Sequence, residues 1–247
     1  MKIYKLTFLL STCLLLLIAC DDGYNGGNYN EQSQSHNYDS TPGYNGNDIQ
    51  ASPGQHTSNV GDNTEVRDIW QNYRVVINKL GDLTGKVVAD IGAGPYGYFT
   101  LRIANNSDIK KIIAIDIDKE SVKFIEDAKI FLKKNVRDRI ETRLVEPHDP
   151  NLKEGEADLV LIVNTYTYFE NPEAYLINVK RGIAKDGKLV IIDFKKRNTP
   201  VGPPVNYRTA IGKVEQDLTK AGYTNIESDD QTLEYQYIII AQPGLDN

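Results

Sequence analysis

From Thr64 onward the chain alternates two apolar patterns. Val66, Ile69, Trp70, Tyr73, Val76, Ile77 and Leu80 recur at helical spacing and predict one amphipathic helix over Glu65–Leu80. Asp82-Leu83-Thr84-Gly85 reads as a turn, and Lys86–Ile91 is a short apolar run of the kind that forms a buried strand. The same alternation then repeats. Helices are expected over Tyr98–Ala104, Glu120–Asn135, Pro172–Ala184 and Ala210–Gly222, the last ending on a glycine cap. In the second of these, Val122, Ile125, Ile130 and Phe131 should face inward. Strands are expected over Lys111–Ile117, Ile140–Val145, Ala157–Val163 and Lys188–Phe194, with Asp186-Gly187 as the turn before the last. Asn225–Thr232 and Tyr235–Ala241 close the chain as two strands joined tightly.

Strands that are apolar on both faces and separated by helices imply a parallel sheet covered on both sides. The final pair has no helix between its strands, so one strand must run antiparallel. The expected fold is therefore α/β: a doubly wound, mostly parallel seven-stranded sheet with one antiparallel strand near the C-terminus. Sheets of this kind bind ligands at the carboxyl ends of their strands, where the strand order reverses.

The first 63 residues follow neither pattern. Lys2 and Lys5 precede a mostly apolar run, Leu6–Ala19, too short to span a bilayer comfortably but suited to a signal peptide. The run ends Leu17-Ile18-Ala19-Cys20, which resembles the bacterial lipobox. That resemblance implies cleavage before Cys20, lipidation of its thiol, and anchoring in the bacterial cell envelope at a membrane or the cell surface. An ordinary cleaved signal or an N-terminal anchor helix is the alternative. Residues 21–63 are rich in Gly, Asn, Ser, Gln, Asp and Tyr, without Lys or Arg, and cannot bury enough surface to offset chain entropy. The division expected is signal peptide 1–19, lipidated cysteine and disordered tether 20–63, and one folded domain 64–247.

Composition removes several functions. The formal net charge is −6 and no basic block stands out, which argues against a nucleic-acid groove. The two cysteines, Cys13 and Cys20, both precede the folded region, so a disulfide framework, a cysteine zinc site or a catalytic thiol is not expected there, nor any metal.

The chemistry concentrates in Val87–Phe99. Gly92, Gly94 and Gly97 form G-x-G-x-x-G between a strand and a helix. Side-chain-free positions let the backbone touch a ligand while a helix N-terminus faces it. Asp90, two residues before the first glycine, suits an ammonium and would repel a pyrophosphate. Asp116, with Asp118 second, ends the next strand and suits the hydroxyls of a ribose. Both acids also have a local alternative as caps or turn formers.

With these residues in place, VVADIGAG, GYFTLRIA and IIAIDID resemble the first two motifs of the class I S-adenosylmethionine-dependent methyltransferases. ADLVLIVNTYTYF and AKDGKLVIIDF are similar to that family's fourth and fifth strands, and the closing segments resemble an uncharacterised bacterial branch of it. The resemblance implies S-adenosyl-L-methionine as cofactor and methylation of a small molecule or an envelope component. It also places Glu146–Pro150 beside the adenine, where His148 or Asp149 would contact the amino edge; a plain surface histidine is the alternative for His148. Two departures stand out. Pro95-Tyr96 lengthens the glycine turn by one residue. Asn164 and Thr167-Tyr168 stand where the branch commonly has an acid and two histidines.

Methyl transfer from a sulfonium needs alignment and exclusion of water more than it needs a base. Asn164, Tyr166 and Tyr168 are therefore the candidates beside the methyl, their oxygens orienting an amine or hydroxyl acceptor. Trp70 and Tyr73 read as packing residues or acceptor lining, and Thr199–Arg208 as a rigid loop at the acceptor rim. Two other functions stay open. One is a non-catalytic nucleoside-binding or scaffold module descended from a methyltransferase. The other is a nicotinamide oxidoreductase, against which Asp90 and the lack of a second domain count. An exported enzyme would also have to obtain its cofactor outside the cytoplasm.

Overall fold

The computed structural model describes residues 64–244; the signal peptide, Cys20 and the tether lie outside the described residues. The chain opens with α1 (Thr64–Trp70) and α2 (Tyr73–Leu80), then runs β1 (Val87–Ile91), α3 (Tyr98–Asn106), β2 (Lys111–Asp116) and α4 (Lys119–Ala128). A 3-10 turn over Lys129–Phe131 and the short α5 (Lys134–Arg137) lead to β3 (Ile140–Leu144). β4 (Ala157–Val163), α6 (Pro172–Gly182), β5 (Ile183–Phe194), α7 (Ile211–Lys220), β6 (Tyr223–Asp229) and β7 (Gln236–Pro243) complete it.

The seven strands form one sheet in the order β3-β2-β1-β4-β5-β7-β6. All pairings from β3 to β5 are parallel, and β7 runs antiparallel to both β5 and β6. The strand order reverses between β1 and β4, which puts the switch point beside the glycine turn. Alternate strand residues feed two cores. Val88, Ile112, Ala114, Leu161, Val190 and Ile192 pack with Val76, Leu80, Phe99, Ile103 and Ile125 of α2, α3 and α4. Ala89, Ile91, Ile113, Val160, Ile162 and Ile191 pack with Tyr175, Leu176, Val179, Val214 and Leu218 of α6 and α7. Both faces are covered, which is why the strands read as unbroken apolar runs. Among the described residues no helix is long and apolar enough to cross a membrane.

Three expected elements differ. The single helix over Glu65–Leu80 is two helices, because the Asn72 side chain accepts from the Arg74 N–H and starts α2 afresh. The break buries Gln71 completely. The helix expected over Glu120–Asn135 stops at Ala128, so its phase is lost: Ile125 is buried, but Ile130 and Phe131 are exposed, not inward. Finally, β5 starts at Ile183. Residues between Ile183 and Lys188, including the expected turn Asp186-Gly187, form an irregularity inside the strand pairing with β4. The glycine stop after α7 is as expected, with Gly222 at φ 81° just past the last helical turn.

Candidate functional site

The carboxyl ends of β1, β2 and β4 meet at the switch point. Asp90 is 2 % exposed near the end of β1, and the Thr100 hydroxyl of α3 donates to its Oδ2 at 2.7 Å. Burial pushes its pKa up to about 6, against the pull of that hydroxyl and of the Arg67 charge, with Asp116 adding to the push. Asp116 ends β2 and turns its carboxylate onto the glycine loop. Its Oδ2 accepts from the Gly94 N–H (2.8 Å) and its Oδ1 from the Asp118 N–H (2.9 Å). A carboxylate has about four acceptor sites, so two such bonds leave capacity for hydroxyl donors.

The three glycines serve different purposes. All have positive φ, at 73°, 73° and 51° for Gly92, Gly94 and Gly97. A Cβ on Gly92 would sit 2.2 Å from Thr165 Oγ1, so this glycine lets the residue after the β4 tip pack onto the turn. A Cβ on Gly97 would meet Ile125 Cγ1 at 2.9 Å, so this one serves packing on α4. At Gly94 the nearest atom to a Cβ is Gly92 O at 3.9 Å, which leaves open space over the turn. α3 starts after Gly97 with no side-chain cap, so its first N–H groups remain available to a ligand.

On the other side of β2, Asp118 is the N-cap of α4. Its carboxylate accepts from the Glu120 and Ser121 N–H groups and from the Ser121 hydroxyl. Capping thus takes the second-choice acid, while Asp116 keeps the position beside the turn. Beyond β3, Leu144, Val145, Glu146, His148, Asp149 and Asn151 line an open hollow of about 370 Å³. His148 and Asp149 are both exposed there; Asp149 Oδ1 accepts from the Asn151 N–H at 2.7 Å.

At the β4 tip, Asn164 adopts φ 55°, a left-handed conformation that asparagine tolerates better than most residues. Its Oδ1 accepts from Gln236 Nε2 at 2.5 Å. Tyr166 is turned away from the crevice: it is 2 % exposed, and its hydroxyl donates to Asp217 Oδ2 of α7 at 2.8 Å. That removes it from the set beside the methyl. Tyr168 is 60 % exposed on the rim. Thr167 donates to the Tyr207 carbonyl, tying this segment to the loop after β5. In that loop the buried Arg208 guanidinium donates to the carbonyls of Lys195, Arg197, Val201 and Pro203, so one side chain ties the loop together.

Residues 89–191 match the family model described as a methyltransferase domain. The fold is the Rossmann-like methyltransferase fold. The structure resembles an S-adenosylmethionine-dependent methyltransferase from Aquifex aeolicus at TM-score 0.63 and 23 % identity, over 71 % of this chain and 91 % of that one. It resembles a putative type 11 methyltransferase from Sulfolobus solfataricus at TM-score 0.56 and 20 % identity, over 72 % and 94 % of the two chains. A Haemonchus contortus phosphoethanolamine N-methyltransferase in complex with S-adenosyl-L-methionine aligns at TM-score 0.58 and 12 % identity, over 71 % and 53 %. No curated protein sequence matches the chain.

Within this methyltransferase fold, several residues at the site were not singled out from sequence. Arg67 lies with its guanidinium carbon 4.1 Å from the Tyr98 ring centroid and donates to Gln71 Oε1 at 2.6 Å. Arg102 covers the same ring at 3.8 Å, and the Tyr98 hydroxyl donates to Asp68. These contacts seat α1 on the helix that follows the glycine turn. Trp70 stacks on Phe194 at the end of β5, with centroids 5.3 Å apart, which makes it a packing residue. Tyr175 of α6 is buried and stacked on Phe169 at 4.0 Å. Burial, then the charges of Asp149 and Asp116, push its hydroxyl's pKa up. Glutamines and a helical arginine carry no motif signal, and the one usable signal, Asn72 as a helix-capping residue type, lay inside the stretch expected to be a single helix.

Proposed function

We propose that the chain binds S-adenosylmethionine across the glycine turn and transfers its methyl group to a small molecule or an envelope component. One observation carries the reading: Asp90, next to last in β1, and Asp116, last in the adjacent parallel β2, stand beside a turn whose middle glycine, Gly94, opens onto free space. The methyltransferase-domain match over residues 89–191 supports the same reading. The residues fit the cofactor's chemistry. Asp90 would hold the ammonium of the methionine half, and Asp116 would accept from the ribose hydroxyls. Asp149 and His148 border the adenine side, and Asn164 stands beside the reacting atoms. The cofactor supplies an electrophilic methyl with a neutral leaving group. The protein's share is to align the acceptor within about 3–3.5 Å and to exclude water.

Calorimetry on the full chain with S-adenosylmethionine, S-adenosylhomocysteine and NAD tests this. The first two should bind and NAD should not; tight NAD binding alone would overturn the proposal. Binding without turnover on any acceptor would favour a non-catalytic module, a reading supported by the commitment of Tyr166 and Thr167 to structural hydrogen bonds. We also propose that Cys20 carries a lipid anchor in the bacterial cell envelope, on the lipobox-like segment. Cys20→Ser should release the protein from membranes with its thermal stability unchanged. A variant that still sediments with membranes after a high-salt wash removes the anchor.

A further inference from the structure

A line of buried amides runs from α1 to the β4 tip. Arg67 Nε donates to Gln71 Oε1 (2.6 Å), Gln71 Nε2 to Gln236 Oε1 (2.7 Å), and Gln236 Nε2 to Asn164 Oδ1 (2.5 Å). Gln71 and Gln236 are both fully buried. The direction of the line is not arbitrary. An arginine side chain has donors and no acceptor, so Gln71 must present its oxygen to Arg67. Its nitrogen then faces Gln236, and the Gln236 nitrogen faces Asn164. Reversing every amide would leave Arg67 opposite another donor. Asn164 therefore gives one lone pair of its oxygen to Gln236, and its Nδ2 has no protein partner among the described residues. The β4 tip thus carries an unpartnered hydrogen-bond donor, while one acceptor lone pair of the same amide is already used.

We propose that this donor selects an oxygen acid, a carboxylate above all, as the methyl acceptor; this rests on the methyltransferase reading above. A neutral amine nitrogen has one lone pair. If it accepts from Asn164, nothing remains to attack the methyl. A carboxylate oxygen keeps a second lone pair after accepting from Asn164. That pair forms the new O–CH₃ bond while the S–CH₃ pair stays on sulfur, which becomes a neutral thioether. No proton moves, so no base is required. The site agrees: the buried Tyr166 hydroxyl is committed to Asp217, and no histidine follows β4. Gln71 and Gln236 are positioning residues that set which end of Asn164 meets the acceptor.

The test uses the full chain loaded with S-adenosylhomocysteine, with benzoate and benzylamine as probes and side-chain amide NMR as readout. The Asn164 amide is the signal lost in Asn164→Asp. In the free protein its hydrogens should exchange with water faster than those of Gln236, and with benzoate it should shift saturably while benzylamine leaves it unmoved. Asn164→Asp, with one oxygen held by Gln236 and the other facing the crevice, should weaken benzoate at least about tenfold and admit benzylammonium, read on the Gln236 amide. Gln236→Glu removes the donor facing Asn164, so it should produce the same inversion with Asn164 intact. A protected Asn164 amide beside an exchanging Gln236 amide overturns the proposal. So does a wild-type response to benzylamine, or to neither probe. Failure of S-adenosylhomocysteine to bind by calorimetry would instead sink the cofactor reading, and the exchange rates would still report the amide line.

Discussion

The two ends of the crevice are built differently. The end proposed to hold the cofactor comes from one stretch of chain: Asp90, the glycine turn, Thr100 and Asp116 lie within or between β1, α3 and β2, and the bonds of its two carboxylates stay within that stretch. The end proposed to meet the acceptor is assembled from afar. Asn164 is oriented by Gln236 and, through it, by Gln71, partners 72 and 165 residues apart along the chain. The cofactor end rests on backbone shape and two buried acids. The acceptor end rests on amides whose polarity is meaningful only as a connected line.

The largest effect expected is at the junction of the two ends. Gly92→Ala places a methyl against Thr165 in a left-handed backbone and should destabilise by about 2–4 kcal/mol, read by urea unfolding. Thr165→Gly in the same chain should recover part of that loss. No recovery would mean that Thr165 does not pack on the turn.

Next is Asp90→Asn. It should weaken S-adenosylmethionine by about 2–3 kcal/mol, through loss of a charge-assisted contact, while leaving the fold intact. In the wild type, affinity should fall about tenfold per pH unit below about 6, as Asp90 takes up its proton. A flat affinity from pH 7 to pH 5 would remove Asp90 from the ammonium site.

A smaller effect separates the ends by stability. Asp193, 1 % exposed near the end of β5, has an Oδ2 without a hydrogen-bond partner, while its Oδ1 accepts from the Phe194 N–H at 2.7 Å. Burial pushes its pKa from 3.8 up to about 6. The folded state therefore holds this proton to higher pH than the unfolded chain. The group's contribution is most favourable below about pH 4 and is lost as pH rises through about 6. Asp193→Asn should stabilise by about 1–2 kcal/mol at pH 7 and by nothing at pH 4, measured by thermal unfolding. An equal effect at both pH values would show that the charge is not the cause.

The sheet and the cofactor end were legible in the sequence for one physical reason. Apolar strand runs, glycine spacing and end-of-strand acids are short-range patterns, and backbone geometry translates them directly into place. Asp118 caps α4, a role the sequence could not separate from a ligand contact because both draw on the same residue type. Tyr166 was misleading because a residue after a strand end can face the crevice or a covering helix, and α7 supplied Asp217 to claim it.

The sequence by itself determined the alternation of strands and helices, the antiparallel final strand, the glycine turn with its two carboxylates, and the apolar run before Cys20. Tertiary structure alone decided that α1 ends at Trp70 and the break after it buries Gln71, that Ile130 and Phe131 stay outside, and that Asn164 gives its oxygen to Gln236. A side-chain amide has two ends of opposite polarity, and which one it presents is settled by partners that only folding brings into reach.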